Sequence, residues 1–331
     1  MLATLTSADA LTWMSILVKA LTYATTLVAA GSVMVACALR RLDAEMRRSL
    51  ARIAVVSALA AAALSLLRFP VRASFLMGGS LDEALDPAIL GMVADGPLGT
   101  SVTLRLIGLA LILAILFPWR RAQWVAAAGA MVVAASFAFR GHALDEPRVL
   151  LGLLITVHIL GLAFWIGAFA PLAQASARGE ADIAGPLAQE FGAKALWVVG
   201  ALVAAGALTL LLFGAATPTA LATPYGQAFA VKLSLFAGVL SLAALNKMYL
   251  TRALLAATPG AGSRLRRSIG IEAALVGAIL LTTAAVTTVT SPPGLSEQAI
   301  LSGERQDAMA ACHPTRCYHP NQTDRSGRYD T

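Results

Sequence analysis

Thr156-Val157-His158-Ile159-Leu160-Gly161-Leu162-Ala163-Phe164-Trp165-Ile166-Gly167 is the stretch on which the reading of this chain turns. It places an imidazole well inside an apolar run long enough to cross a bilayer, for which about 20 residues suffice. An ionisable group at that depth is costly to bury and needs a partner. Imidazole is also a common ligand of transition metals. Two readings of His158 therefore stand side by side: a metal ligand, or a neutral buried ring bonded to a neighbouring hydroxyl or carbonyl.

The rest of the chain agrees with a bilayer setting. Of 331 residues, 58% are hydrophobic and 13% charged, with mean hydropathy +0.75. A soluble domain carries about a quarter charged residues. The expected class is an all-α integral membrane protein. The net charge of +7 reads as membrane orientation and not as nucleic-acid binding. Cys37, Cys312 and Cys317 make no disulfide framework.

Eight apolar segments are expected to span, at about 11–38, 50–69, 98–117, 122–141, 148–173, 193–213, 226–250 and 268–290. Phe69-Pro70, Gly96-Pro97, Phe117-Pro118, Glu146-Pro147 and Thr217-Pro218 fall at or near their ends. The first has no Lys or Arg before it, unlike a cleaved signal peptide, and is expected to be a retained helix. Residues 1–292 form the membrane domain in this reading. Residues 293–331 are a polar tail without apolar periodicity, expected to stay disordered.

Orientation follows from the cations. Connections after spans one, three, five and seven carry Arg40, Arg41, Arg47, Arg48, Arg52, Arg120, Arg121, Arg178, Lys194, Lys247, Arg252, Arg264, Arg266 and Arg267. The opposite connections carry Arg68, Arg72, Arg140 and Arg148. The first set is expected in the cytoplasm and both termini outside it, in the periplasm of a Gram-negative cell. The long outer loop from Arg68 to Gly96 holds Asp82, Glu83, Asp86 and Asp95. It either attracts cations or is simply solvated, and Leu81–Val93 suits a short interfacial helix.

A repeat is visible in the openings of spans three and seven. Gly99 precedes Arg105-Leu106 by the same interval as Gly226 precedes Lys232-Leu233. Two parallel halves of four spans are expected, related by an axis along the membrane normal. Under that offset Lys19 falls near the place of His158.

The candidate ligands start with His142 and His158. From the helical rise, His158 lies about 16 Å below the start of span five and His142 about 6 Å deep. A gap of about 10 Å is too wide for one ion, because metal–imidazole bonds are near 2 Å. Two successive stations on a path inward fit better. Met34 and Cys37, in the inner half of span one, are soft ligands suited to Cu(I). Cys312, His313, Cys317 and His319 in the tail have the residue types for a tetrahedral site, but not the spacing of a common zinc finger. Lys19, Arg105 and Lys232 either snorkel to the interface or line a polar cavity. Glu272 and Asn246 lie toward the cytoplasmic side, where each can bond the other or a neighbour, and no role is assigned to them. No phosphate loop, nucleophile elbow or His-Glu-x-x-His motif occurs, and no enzyme activity is expected.

Taken together, Gly141-His142-Ala143, His158 with Trp165-Ile166-Gly167, Gly99 with Arg105, and Gly226 with Lys232-Leu233 and Asn246-Lys247 resemble the copper resistance protein D (CopD) family of bacterial inner-membrane proteins. The resemblance runs from about residue 11 to Pro293. It implies an eight-helix protein that handles copper as cargo in the inner membrane, often with a periplasmic copper-binding partner of the CopC type. His142 and His158 match the family's membrane histidines. The polar tail is not expected to form a CopC-like β-domain, so that partner would be a separate protein, or there would be none. Import of copper from periplasm to cytoplasm is the leading expectation. A b-type haem electron-transfer protein, which needs a second axial ligand at matching depth, and a copper-delivery factor that docks a chaperone are the alternatives.

Overall fold

The computed structural model describes residues 8–79, 82–140, 147–179, 181–212 and 224–289. All of them belong to one compact unit, Met1–Thr290. The described residues are helical, without strands. The helices are α1 (Ala10–Ala38), α2 (Ala44–Leu76), α3 (Pro87–Asp95), α4 (Pro97–Ile112), α5 (Arg120–Ala135), α6 (Arg148–Arg178), α7 (Ala181–Leu212), α8 (Pro224–Leu245), α9 (Thr251–Leu255) and α10 (Ala261–Val289). Turns of 3₁₀ helix extend α4 through Leu116 and α5 through Phe139, and a π-helical turn, Asn246–Leu250, joins α8 to α9. Eight of these assemblies are long and apolar enough to cross a membrane. They match the eight expected segments in order. Spans two, five, six, seven and eight overrun the expected windows by a turn or more, because polar residues continue the backbone hydrogen bonding into the interface.

Caps explain several boundaries. Asp9, Asp43 and Asp86 each accept a backbone N–H from the first turn of the following helix, satisfying donors the helix leaves open. Pro87 and Pro97 sit in first turns, where the missing N–H costs nothing. Gly179 ends α6 at φ 74°, a conformation glycine adopts without strain. One expectation is corrected here. The outer-loop helix is not continuous over Leu81–Val93: a 3₁₀ turn, Asp82–Leu85, stops at Asp86, and Pro87 starts α3. The cap of α6 is Pro147. A proline at that position fixes φ and has no donor to leave unpaired.

Connections after the odd-numbered spans meet at one end of the bundle. Arg178 pairs with Asp43 and Glu45, Glu190 accepts the backbone N–H groups of Arg40 and Arg41, and Lys194 bonds Glu190. Arg47 donates to the carbonyls of Ala36 and Leu39, which the end of α1 leaves without intrahelical donors. Lys19 does the same at the opposite end, donating from Nζ to the Thr287 carbonyl at 2.9 Å. Lys19 therefore does not snorkel. It ties the first span to the last.

The centre of the bundle is the seam between α1 and α6. A Cβ on Gly31 would stand 2.0 Å from the Ala163 carbonyl oxygen, and one on Gly167 would stand 2.2 Å from Gly31 backbone. The two backbones touch, and Leu27, Ala30, Val33, Ala163 and Trp165 pack around the contact. Gly31 against Gly167 and Asp43 against Arg178 show that α1 and α6 run in the same direction. Small residues allow this approach, which lipid-facing apolar surface alone would not drive. Gly161 faces the side chains of Val198 and Leu202 at 3.3–3.4 Å and admits no comparable backbone approach.

Neighbour relations recur with a shift of four spans. Spans one and two pack together, as do five and six; three and four, as do seven and eight. One meets four, and five meets eight; two meets three, and six meets seven; one meets eight, and five meets four.

Candidate functional site

The bundle interior holds three groupings of polar side chains. The first surrounds His158. Its ring projects from α6 toward α7, where Nδ1 would lie 3.9 Å from a Cβ on Gly206. Nothing else comes within 4 Å of that Cβ position, so there is open space beside the nitrogen. Nδ1 is buried and has no hydrogen-bond partner. The Leu202 backbone lies close enough to offer the ring a hydrogen bond, and the Lys232 side chain of α8 is close enough for its charge to act on it. The satisfied-core reading of His158 predicts a bonded imidazole; Nδ1 makes no hydrogen bond of normal geometry, although the Leu202 backbone is within reach of the ring.

His142 lies outside the described residues, as do Cys312, His313, Cys317 and His319. Among the described residues His158 is the only histidine, and no group of three or more His, Cys, Asp or Glu is gathered closely enough to hold a metal ion. What the described residues offer copper at this point is one imidazole nitrogen and space next to it. Further donors would have to come from elsewhere or from the cargo's own ligands.

The second grouping joins α6, α8 and α10. Glu272 is buried and receives the Trp165 Nε1–H at 3.1 Å through one carboxylate oxygen and the Asn246 amide through the other. Trp165 also stands edge-on to Phe191 of α7, with ring centroids 6.5 Å apart. Asn246 begins the π-helical turn, and Thr251 bonds its carbonyl oxygen across that turn at 2.9 Å. A π turn shifts the register of the side chains beyond it, and such turns concentrate at functional sites. Asn246 Oδ1 remains buried without a partner. The Asn246–Glu272 bond is one of the pairings the sequence left open. The Trp165 indole N–H also holds the carboxylate. A buried Glu, a Trp and an Asn in separate apolar spans were each visible, but their spacing along the chain does not reveal that they meet.

The third grouping lies at the end opposite the Arg-rich connections. Arg105, only 1% exposed, reaches Ser136 Oγ at 3.2 Å through Nε and Ser101 Oγ at 3.4 Å through Nη2, and lies over the Phe137 ring at 4.4 Å. Ser101 in turn donates to the Ser136 carbonyl at 2.7 Å. These contacts bind α4 to the 3₁₀ turn that ends span four. Snorkelling does not describe Arg105: its guanidinium is held inside the bundle. Arg68, Arg140 and Tyr23 lie within electrostatic range of Arg105, and Lys19 and Arg72 within range of Arg68 and Arg140.

At the Arg-rich end, Cys37 lines an open cleft of about 640 Å³ with Ala38, Arg40, Arg41, Glu190 and Lys194. Met34 packs inside, against both main apolar clusters. From the helical rise, Met34 lies about 4.5 Å and Cys37 about 9 Å toward that end from Gly31, while His158 lies about 13.5 Å the other way from Gly167. Span one does face span five, but some 18 Å of bundle separates His158 from Met34 on this count. Copper cannot pass directly between them.

Eight long apolar helices around a small-residue seam, with ionisable groups in the interior, define a polytopic helical membrane protein. The description "Copper resistance protein D-like, N-terminal domain" matches residues 8–149, and "Copper resistance protein D" matches residues 185–286. Together they cover most of the described bundle, and the chain belongs to the copper resistance protein D family. That membership ties it to copper and to a membrane. His142 falls within the first match, Glu272 and Asn246 within the second, and His158 between them. Among curated proteins and among solved structures, none matches the chain.

Proposed function

We propose that this protein carries copper across the bacterial inner membrane, from periplasm to cytoplasm, with His158 as the deep ligand and His142 as the outer station. The observation that carries the reading is the buried, unpartnered Nδ1 of His158 with open space beside it, in a chain of a copper family. An unsatisfied polar atom in the bilayer core costs stability and persists where function uses it. The expected orientation puts the Arg-rich end in the cytoplasm, so import would run from the His142 end toward it. Cys37 in its cleft and Met34 above it are the soft groups nearest that exit. A separate CopC-type protein is the expected donor. The recurrence of neighbour relations after four spans supports two parallel halves, with α1 and α6 at the axis between them.

The test is His158→Ala in cells and in proteoliposomes. A structural histidine would leave its partner unpaired on removal, at about 1–3 kcal/mol. Nδ1 has no hydrogen bond of normal geometry to lose, with only the Leu202 backbone in reach, so membrane-inserted protein should stay near the parental level while copper accumulation per inserted protein collapses. Parental accumulation by His158→Ala would end the transport mechanism proposed here. Gly206→Val, which fills the space beside Nδ1, should act in the same direction.

A further inference from the structure

The positive cluster opposite the Arg-rich end has no counter-charge among the residues whose side chains are described, which leaves out Asp82 and Glu83. It consists of Lys19, Arg68, Arg72, Arg105 and Arg140, from spans one, two, three and the end of span four, packed around Tyr23. Arg68 is 8% exposed and Arg105 1%. Nη1 of each is buried with no hydrogen-bond partner. Their surroundings are hydroxyls and aromatic rings: Ser101 and Ser136 on Arg105, with Phe137 beneath its face and beside Tyr23. Exposed Arg72 and half-buried Arg140 lead from the surface to the two buried guanidinium groups.

Burying several like charges together is expensive. Desolvation of each costs several kcal/mol, and their mutual repulsion adds to it at low dielectric. Local carbonyls settle Lys19, which caps the end of α10, but nothing comparable settles Arg68. A guanidinium fork matches the oxygens of a phosphate or carboxylate two at a time. Two such forks with free Nη1 atoms, backed by further cations, suit an anion with several oxygens and more than one negative charge.

We infer that this cluster is a binding site for a phosphate-type oxyanion, with Arg68 and Arg105 as its direct ligands and Arg72 and Arg140 at its entrance. Phosphate reaches it either as a lipid headgroup from the adjacent leaflet or as the free ion. Either would cancel the positive potential at the end where copper is proposed to enter. The site stands on its own residues, and failure of the copper reading would leave it unchanged.

The experiment uses the full chain, purified in detergent and delipidated. Inorganic phosphate is titrated at constant ionic strength and followed by calorimetry and by melting temperature, with chloride as the control. A short-chain phosphatidylglycerol is titrated in parallel. Saturable binding of either probe is expected, weakened at least tenfold in Arg68→Gln and in Arg105→Gln but not in Arg120→Gln at the other end. Binding of the lipid alone identifies the headgroup as the source, and binding of phosphate identifies the free ion. If a variant fails to fold, the anion-specific rise in melting temperature of the parent chain still decides the matter. No saturable response of the parent to either probe overturns the site. So does binding that emerges only after Asp82, Glu83, Asp145 and Glu146 are neutralised, since the chain's own carboxylates would then fill it.

Discussion

Gly31→Ala probes the seam on which the bundle is built. The new methyl carbon would stand 2.0 Å from the Ala163 oxygen, 2.8 Å from its carbonyl carbon and 3.0 Å from Gly167 N. Ordinary carbon contacts lie near 3.5 Å, so α1 and α6 must part by about 1.5 Å. Neither partner is a side chain that can change rotamer. Overpacking in a tight core costs about 1–3 kcal/mol, and this contact belongs at the upper end, about 3 kcal/mol. Part of that loss is dispersion: a gap of 0.5–1 Å forfeits about a quarter to a half of each contact's energy. Leu27, Ala30 and Val33 of α1 and Ala163 and Trp165 of α6 would all feel it. Gly167→Ala should cost a similar amount, because its Cβ meets Gly31 from the other side. The double variant should cost less than the sum, since one separation makes room for both methyls. Gly277→Ala is the control, as its Cβ would meet nothing within 4 Å. It should leave stability unchanged or slightly raised. Denaturation of purified protein in mixed micelles, with insertion checked by protease accessibility, measures the series. A Gly31→Ala midpoint equal to that of Gly277→Ala would refute the backbone contact and the arrangement of spans built around it.

Glu272→Ala should destabilise by about 2–6 kcal/mol, because it strands two buried donors, Trp165 Nε1 and the Asn246 amide, at about 1–3 kcal/mol each. A double-mutant cycle with Trp165→Phe should show coupling, and strict additivity would mean that the two do not interact. Asp43→Ala should cost about 1 kcal/mol through loss of the α2 cap, whereas Asp43→Asn keeps the cap and loses only a solvent-screened pair with Arg178. The Asp43 carboxyl is held below its usual value, first by the Met46 N–H bond and then by Arg178. Its contribution is therefore present above the unfolded value near about 4 and declines as pH falls below that through the native value. A melting profile in which Asp43→Ala and parent stay equally far apart down to pH 2 would contradict this. Deletion from Ser296 onward should leave copper accumulation intact, and loss of copper binding in Cys312→Ser/Cys317→Ser would assign the tail a role instead.

Much of the fold could be read in advance because a bilayer imposes its own length on a helix. Each span needs about 20 apolar residues, and every backbone group must be bonded within it. Hydropathy thus marks eight spans and their order. Pro87, Pro97, glycines and capping aspartates mark several gaps, whereas Pro70, expected at a span end, lies inside α2, and the alternation of arginines sorts the connections into two sets. These are local properties, and each is written within a few residues of where it acts. Glu272 with Asn246 was legible for a related reason, as polar groups in hydrocarbon seek each other.

Which faces meet was not legible. A span that is apolar all round carries little amphipathic signal, so neither α1 nor α6 announces its inner side. The seam was decided by backbone approach at Gly31 and Gly167, two glycines in a chain with 27. Tertiary packing also turned Trp165 into a donor, Lys19 into a cap and Arg105 into a buried guanidinium, where the sequence allowed packing or snorkelling for each. It gathered Arg68, Arg105 and Arg140, which are far apart along the chain, because the spans that carry them close around Tyr23. The sequence alone determined that this chain crosses a membrane eight times with a histidine in the fifth span. Only the three-dimensional arrangement decided that the histidine faces Gly206 with an unbonded nitrogen, because contacts between separate helices depend on side-chain shape and charge at positions that no periodicity links.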